Sequence, residues 1–350
     1  MIFTGDISQP YTRASRYKIP DGLRTRLWFG NLEGSLICES VPHGVYNASE
    51  AIAALCRDIP FKAFSIANNH LFDAADIKTT RTNGERTGLQ LSGGGNILQA
   101  SVPALLIDEE KTAFRILTFG WENISCQLAT QTREGVNPYT KRNVMQCVKD
   151  VLNAYGLKGG KVICFFHWNY ELERYPQPYD RHLAHELIDM GVEAVIGCHA
   201  HRVQPIEFYK GKPIVYGLGN FLFCQGHYFN GKLIFPKFCE EEYAFEVSKE
   251  GYKLHYFHYD QNENRLEYIK SEDICSETEF DGKAVFTGFS DKKYEKWFKQ
   301  HRVQKRLLPI FHTHENAMSY WLKSEWIKVR GGLINLLTTM NLKSRNRSNR

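Results

Sequence analysis

An α/β fold, or a layered α-β-β-α one, is what this sequence predicts, on three observations. Short apolar runs of strand length recur along the first two thirds of the chain. Several intervals between them carry apolar residues at helical spacing. The chain has 350 residues, 43% of them hydrophobic and 24% charged, enough apolar material for a sizeable core. Alternation of strand and helix patterns in one such chain argues for layers rather than for a bundle or a barrel of strands alone.

The apolar runs lie at residues 2–4, 26–29, 63–67, 115–119, 161–166, 194–196 and 213–216. Each is short, bounded by polar or turn residues, and reads as a buried strand. Helical spacing appears at residues 50–57 (Ile52, Leu55, Cys56), 143–155 (Val144, Cys147, Val148, Val151, Leu152) and 182–190 (Leu183, Leu187, Ile188). Near residue 240 the pattern changes. Residues 243–247 and 252–259 (YKLHYFHY) alternate as antiparallel strands do, and residues 291–350 read as amphipathic helix ending in the polar tail KSRNRSNR, expected to be disordered. The expected organisation is a body at residues 1–290 and a helical extension at 291–350.

Charge divides the chain in the same place. The net charge is +5, yet residues 291–350 hold 14 basic and 4 acidic residues, so the body is mildly acidic and the extension strongly basic. Basic residues interleaved with Tyr294, Trp297, Phe298, Trp321 and Trp326 allow a membrane-surface or anionic-polymer contact. A helix packed on the body with its basic face in water is the plainer expectation. No nucleic-acid recognition motif accompanies the charge, and no GxGxxG or P-loop is present. Nine cysteines at scattered spacing without a CxxC argue against a structural zinc site and for buried thiols. With no signal peptide evident at residues 1–13, a reducing cytoplasm is the expected setting, with contact at the inner membrane as a variant of it.

The chemistry-bearing residues gather where the strands end. FTGD offers Asp6, WFGNLEG offers Asn31 and Glu33, SIANNH offers Asn68, Asn69 and His70, CFFHW offers His167, and IGCHAH offers His199 and His201. Open α/β sheets build their sites at such ends. Taken singly, Asp6 after a glycine would pass as a turn residue and His167 as a structural histidine. Two histidines at i, i+2 and an Asn-Asn-His run are harder to place without partners. The set is mixed N/O, which suits Mn, Fe or Zn better than Mg or Ca. His43, His227, His255, His258, His312 and His314 stand in no such context, and His182 and His185 are expected on an exposed helix face.

In this order the segments resemble the bacterial CapA family. These are capsule-synthesis proteins linked to poly-γ-glutamate and related surface polymers, a branch of the calcineurin-like metallophosphoesterases. The resemblance runs from about residue 1 to residue 225 and is most specific at residues 167–223, from FFHWNYELE to YGLGNFLF; GGGNILQA at residues 93–100 adds to it. It implies a calcineurin-like α-β-β-α sandwich and one or two divalent ions. Asp6, Glu33 and His201 would hold one, and Glu33, Asn69, His167 and His199 the other. It also implies His70 as general acid, with Asn68 orienting it. Trp168, Glu171 and Arg202 would line the substrate site. The chain departs from the pattern at Ser8, where the first motif has a histidine, at Asn169 for Gly, at Ala200 for Pro and at Gly217 for Ser. The expected activity is hydrolysis of a phosphoester or another polymer or glycan linkage by metal-activated water. The alternative is a non-catalytic accessory subunit of a surface-polymer machine that keeps the metal as structure. Either role implies an anionic or glycan polymer or its precursor as ligand, and capsule-synthesis proteins as partners.

Overall fold

The computed structural model describes residues 1–10, 15–41, 44–156, 159–229, 231–303 and 307–339. The principal strands are β1 (Ile2–Ser8), β2 (Trp28–Leu32), β3 (Phe61–Ser65), β4 (Ala113–Gly120), β5 (Lys161–His167), β6 (Ala194–Cys198), β7 (Lys212–Val215), β8 (Asn220–Phe223), β9 (Glu241–Val247), β10 (Tyr252–Asp260) and β11 (Arg265–Ile274). The principal helices are α1 (Ser49–Asp58), α2 (Ile77–Arg86), α3 (Lys141–Tyr155), α4 (Pro178–Asp189), α5 (Asp291–His301) and α6 (Ala317–Thr339).

Two sheets carry the fold. The first runs Arg16–Lys18, β11, β10, β9, β1, β2, β3, Gln90–Ser92, with β8 pairing alongside β1. The second runs Ile206–Tyr209, β7, β6, β5, β4, Ala104–Ile107. Their facing surfaces share one apolar layer, with Phe3, Phe29, Ala63 and Phe245 from one sheet and Ile116, Ile163, Phe165, Ile196 and Val215 from the other. Leu55, Ile52 and Ile77 of α1 and α2 pack on the far side of the first sheet, and Val148, Val151, Leu183 and Leu187 of α3 and α4 on the far side of the second. Four layers result, α-β-β-α, as the sequence predicts. The buried strands are near-continuous apolar runs because both of their faces are covered.

Several elements escape the sequence reading, among them β8, helix α2 and strand β11. Helix α2, IKTTRTNGER, contains consecutive threonines and Gly84, all weak helix formers. It is held by the Asp76 side chain, which accepts from the Thr79 amide at 2.7 Å, and by burial of Ile77 and Thr80. Strand β11, RLEYIKSEDI, is rich in charge because much of it faces water, and it forms by pairing with β10.

The segment after residue 290 is not detached from the body. Tyr294 and Phe298 of α5 lie in the same apolar cluster as Phe166, Trp168 and Leu187. The buried Arg181 of α4 binds Glu207 in a two-pronged pair (2.9 and 2.6 Å), donates to the Phe289 carbonyl at 3.0 Å and approaches Asp291 at 3.6 Å. The expectation that His182 and His185 are exposed is wrong. His182 Nδ1 lies 2.9 Å from Asp291, and His185 Nε2 lies 3.2 Å from Glu207 with its ring stacked on Tyr209. They tie α4 to its neighbours. Lys305, Arg306 and the tail KSRNRSNR lie outside the described residues.

Candidate metal centre

Strand register brings the five segments together. Asp6 stands opposite Asn31 on the neighbouring strand β2 and opposite Asn220 on β8. His167 stands opposite Cys198 at the ends of β5 and β6. Within each sheet these strands pair in parallel here, which aligns the carboxyl ends of β1 and β2 in the first and of β5 and β6 in the second, while Asn220 comes from the start of β8. Gly5 is required at this edge, because a Cβ there would collide with the Gly219 carbonyl oxygen and hold β1 away from β8. After β6 the chain turns sharply. His199 has φ +90° and His201 φ +52°, left-handed conformations that cost a non-glycine residue about 1–3 kcal/mol each. That strain aims both rings at the carboxylates. Asn169 sits at φ +68°, which explains why a residue tolerant of that region stands where the family pattern has glycine.

The six expected ligands converge. His167 Nε2 lies 2.7 Å from Asn69 Oδ1 and 3.1 Å from His199 Nδ1. The His201 Nδ1 atom is 2.9 Å from Asn220 Oδ1 and 3.5 Å from Asp6 Oδ2, and its Nε2 is 3.7 Å from Glu33 Oε1. Asp6 accepts from the Asn31 amide at 2.8 Å and from the His199 backbone at 3.0 Å. Two sets of three buried groups have ligand atoms all within 4.8 Å of one another: Glu33, His199 and His201; and Asp6, His167 and Cys198. Cys198 was not expected in the cluster. Its sulfur lies 3.2 Å from His167 Nδ1.

The decisive member is Glu33. It is wholly buried, and neither carboxylate oxygen has a hydrogen-bond partner. Nε2 of His201 and Nε2 of His70 both stand 3.7 Å from Oε1, too far for a hydrogen bond. Two atoms ligating one ion at about 2.1 Å in a tetrahedral shell lie about 3.4 Å apart. The Glu33–His201 spacing therefore fits a cation between these two groups, and the donor set of imidazole, carboxylate and amide fits a borderline divalent metal.

Electrostatics agree with that fit. Burial, then the neighbouring Asp6, Glu171 and Asp73 carboxylates, push the Glu33 carboxyl well above its usual range. Burial also raises Asp6, against the pull of His201 and the Asn31 hydrogen bond. Burial holds His167 well below the usual histidine value and lowers His201 too, so both rings are neutral and have a lone pair to give. Two buried carboxylates without a compensating charge are what a cation would neutralise.

His70 stands at the mouth, partly exposed. Its Nδ1 is 2.7 Å from Asp73 Oδ2, which leaves Nε2 turned toward Glu33. Asp73 was missed from the sequence. Asn68 acts on the backbone: its Oδ1 accepts from the Gly34 and His70 amides, and its Nδ2 donates to the Leu32 carbonyl at 2.8 Å. Glu171 is half-buried and near enough to raise Glu33. Arg202 donates to the Leu172 carbonyl at 3.3 Å and lies 4.4 Å over the Phe238 ring, while its Nε has no partner. The expectation that Trp168 lines the site is wrong. It is 1% exposed, stacks on Phe166 at 4.5 Å and donates to the Tyr216 carbonyl at 3.0 Å. Successive residues of a strand face opposite ways, so with His167 turned to the centre Trp168 faces the helices. At the departure in the first motif, Ser8 Oγ lies 2.5 Å from the Tyr228 hydroxyl, which itself donates to the Tyr46 carbonyl.

A family model described as the bacterial capsule synthesis protein PGA_cap matches residues 13–225, well over half of the chain. The chain belongs to that family. The match takes in Glu33, Asn69, His70, His167, His199 and His201 but begins after Asp6, whose place in the centre rests on geometry. Among curated relatives, the PGA biosynthesis protein CapA of Bacillus subtilis is 28% identical over 174 residues, which is 49% of this chain and 44% of that protein. The capsule biosynthesis protein CapA of Bacillus anthracis is 27% identical over 185 residues, 51% of this chain and 44% of its own. A probable polyglutamine synthesis accessory protein of Mycobacterium tuberculosis is 29% identical over 165 residues, 45% and 43%. The aligned stretch thus spans less than half the length of these curated relatives. PGA_cap proteins are capsule-synthesis proteins, and this chain carries their metallophosphoesterase-like fold.

Proposed function

We propose that this chain is a metal-dependent hydrolase that cleaves a phosphoester, or another polymer or glycan linkage, in capsule or cell-surface polymer synthesis. The observation behind the reading is the buried Glu33 carboxylate, without hydrogen bonds and faced by two histidine nitrogens at 3.7 Å. Asp6, Glu33 and His201 would hold one ion, and Glu33, Asn69, His167 and His199 a second, with Mn, Fe or Zn suited to the set. A bound ion of this kind supplies a water of lowered pKa and a Lewis acid for the ester oxygen. The protein's own part is proton delivery and grip. The Asp73 carboxylate accepts from His70 Nδ1–H and orients the ring, and the proton given to the leaving oxygen would come from Nε2–H of the doubly protonated imidazole, which is left neutral. Asn68 pins the His70 backbone. Glu171 and Arg202 would contact the substrate, and a guanidinium such as that of Arg202 suits a phosphate or carboxylate of an anionic polymer. The names of the relatives point to synthesis machinery as the setting.

The test combines metal analysis with turnover. Protein purified without chelator is assayed for metal per chain by mass spectrometry, and for hydrolysis of a chromogenic phosphodiester with added Mn, beside His70→Ala. Bound metal in both proteins with turnover lost only in the variant supports the proposal. Absence of bound metal, with none taken up on addition, ends it. A second reading, an accessory protein without catalysis, is favoured by Ser8, whose hydroxyl is engaged by Tyr228 where a ligand histidine would stand. Metal without turnover of any ester would select it.

A further inference from the structure

Helix α6 is apolar on both sides. Tyr320, Ser324 and Ile327 face inward, with Tyr320 and Ile327 packed against the core cluster. On the opposite side Met318, Leu322, Trp326, Val329 and Leu333 are 66, 55, 47, 63 and 55% exposed. At about 100° per residue these five fall within an arc of about 80°, and Trp321, 55% exposed, flanks it. A helix apolar all round is normally covered on both sides, and a contiguous row of exposed large apolar residues marks a contact surface. Glu325, the one acid of the helix, lies about 20° outside this arc and is tied to Lys328 at 3.0 Å.

We propose that this face of α6 lies on an anionic lipid surface. The charge of the segment selects the occupant. Residues 317–350 hold seven basic residues and one acidic one, so a second copy would bring like charge against like. An anionic surface attracts it, at roughly 1 kcal/mol per basic residue close to the headgroups. Two tryptophans on the exposed side are the residue type that settles at a headgroup boundary. No helix among the described residues is long and apolar enough to cross a membrane, so the geometry is that of a helix lying in the interface plane.

The full chain is floated with phosphatidylcholine vesicles with and without phosphatidylglycerol, beside the triple variant Leu322→Glu/Val329→Glu/Leu333→Glu. These positions are outward-facing, and far-UV circular dichroism checks that the variant keeps its helix. The expected result is binding only to the anionic vesicles, weakened by added salt and by about tenfold or more in the variant. A variant that loses helix is replaced by Leu322→Ser/Val329→Ser, read in the same way. Failure of the wild-type chain to float with anionic vesicles, or equal flotation of the variant, overturns the proposal. Self-association in sedimentation that the variant abolishes, without vesicle binding, overturns it in favour of a second copy.

Discussion

Substitution of Glu33 by Gln has opposite effects with and without metal, and the sign follows from burial. The Glu33 carboxyl is wholly buried with both oxygens unpaired. Without a cation, leaving such a group unsatisfied costs about 1–3 kcal/mol, and more where it carries charge. Burial raises its pKa in the folded chain, so the folded state keeps a proton that the unfolded chain has released. Folded-state proton excess means that stability falls as pH rises, from the ordinary carboxyl value of 4.5 upward through the raised one. The amide of Glu33→Gln has no such dependence. Metal-free Glu33→Gln is therefore expected to match the wild type near pH 5 and to exceed it at pH 8 by about 1–3 kcal/mol. At about 2 °C per kcal/mol for a chain of this size, that is a midpoint higher by a few degrees. With metal the order reverses. A ligand present at a thousand times its dissociation constant stabilises the folded chain by about 4 kcal/mol, and the variant forgoes most of this. Thermal melts at both pH values, in chelator and in added Mn, read all four states. A variant less stable than the wild type in chelator at pH 8, together with equal protection of both proteins by Mn, would refute the assignment of Glu33 to a cation.

Three further outcomes are expected. Asp73→Asn removes the carboxylate that holds His70 Nδ1 at 2.7 Å; kcat should fall roughly ten- to a hundredfold, while metal per chain by mass spectrometry stays unchanged. Trp168→Ala empties a core site between Phe166 and Tyr216; it should cost about 3–5 kcal/mol in urea unfolding, and a selective rise in KM with intact stability would return Trp168 to the substrate site. Burial raises the Asp180 carboxyl from 3.8 to about 7 against its hydrogen bonds from Tyr139 and Gln177. The folded chain thus holds this proton between those values and loses stability with rising pH, by up to about 1.4 kcal/mol per unit, a slope that Asp180→Asn should remove from pH-dependent melts.

What the sequence disclosed, and what it withheld, divides along strand geometry. Asp6, Asn31, Glu33, His167, His199 and His201 are legible because polar residues at the ends of apolar strands have few structural uses, and side-chain alternation sorts them. Asn31 and Glu33 share a side with Leu32 turned into the core, and His167 opposes Phe166 and Trp168, which stack on each other. The same alternation argues against Trp168 as a pocket residue, so that error came from reading proximity in sequence as proximity in space. Asp73 gives no such signal. It lies in the turns before α2, where no period operates, and only the folded chain turns its carboxylate to His70. Ser8 and Tyr228 meet across 220 positions, and Arg181 reaches Phe289 across 108. Contacts of that range depend on which layers face which, and sequence periodicity reports only that a residue is buried. The ligand strands could be read as a set because parallel register alone aligns their ends. Groups that position the site without strand register, such as Asn68 and Asp73, come from turns, where no such alignment can be read from the sequence.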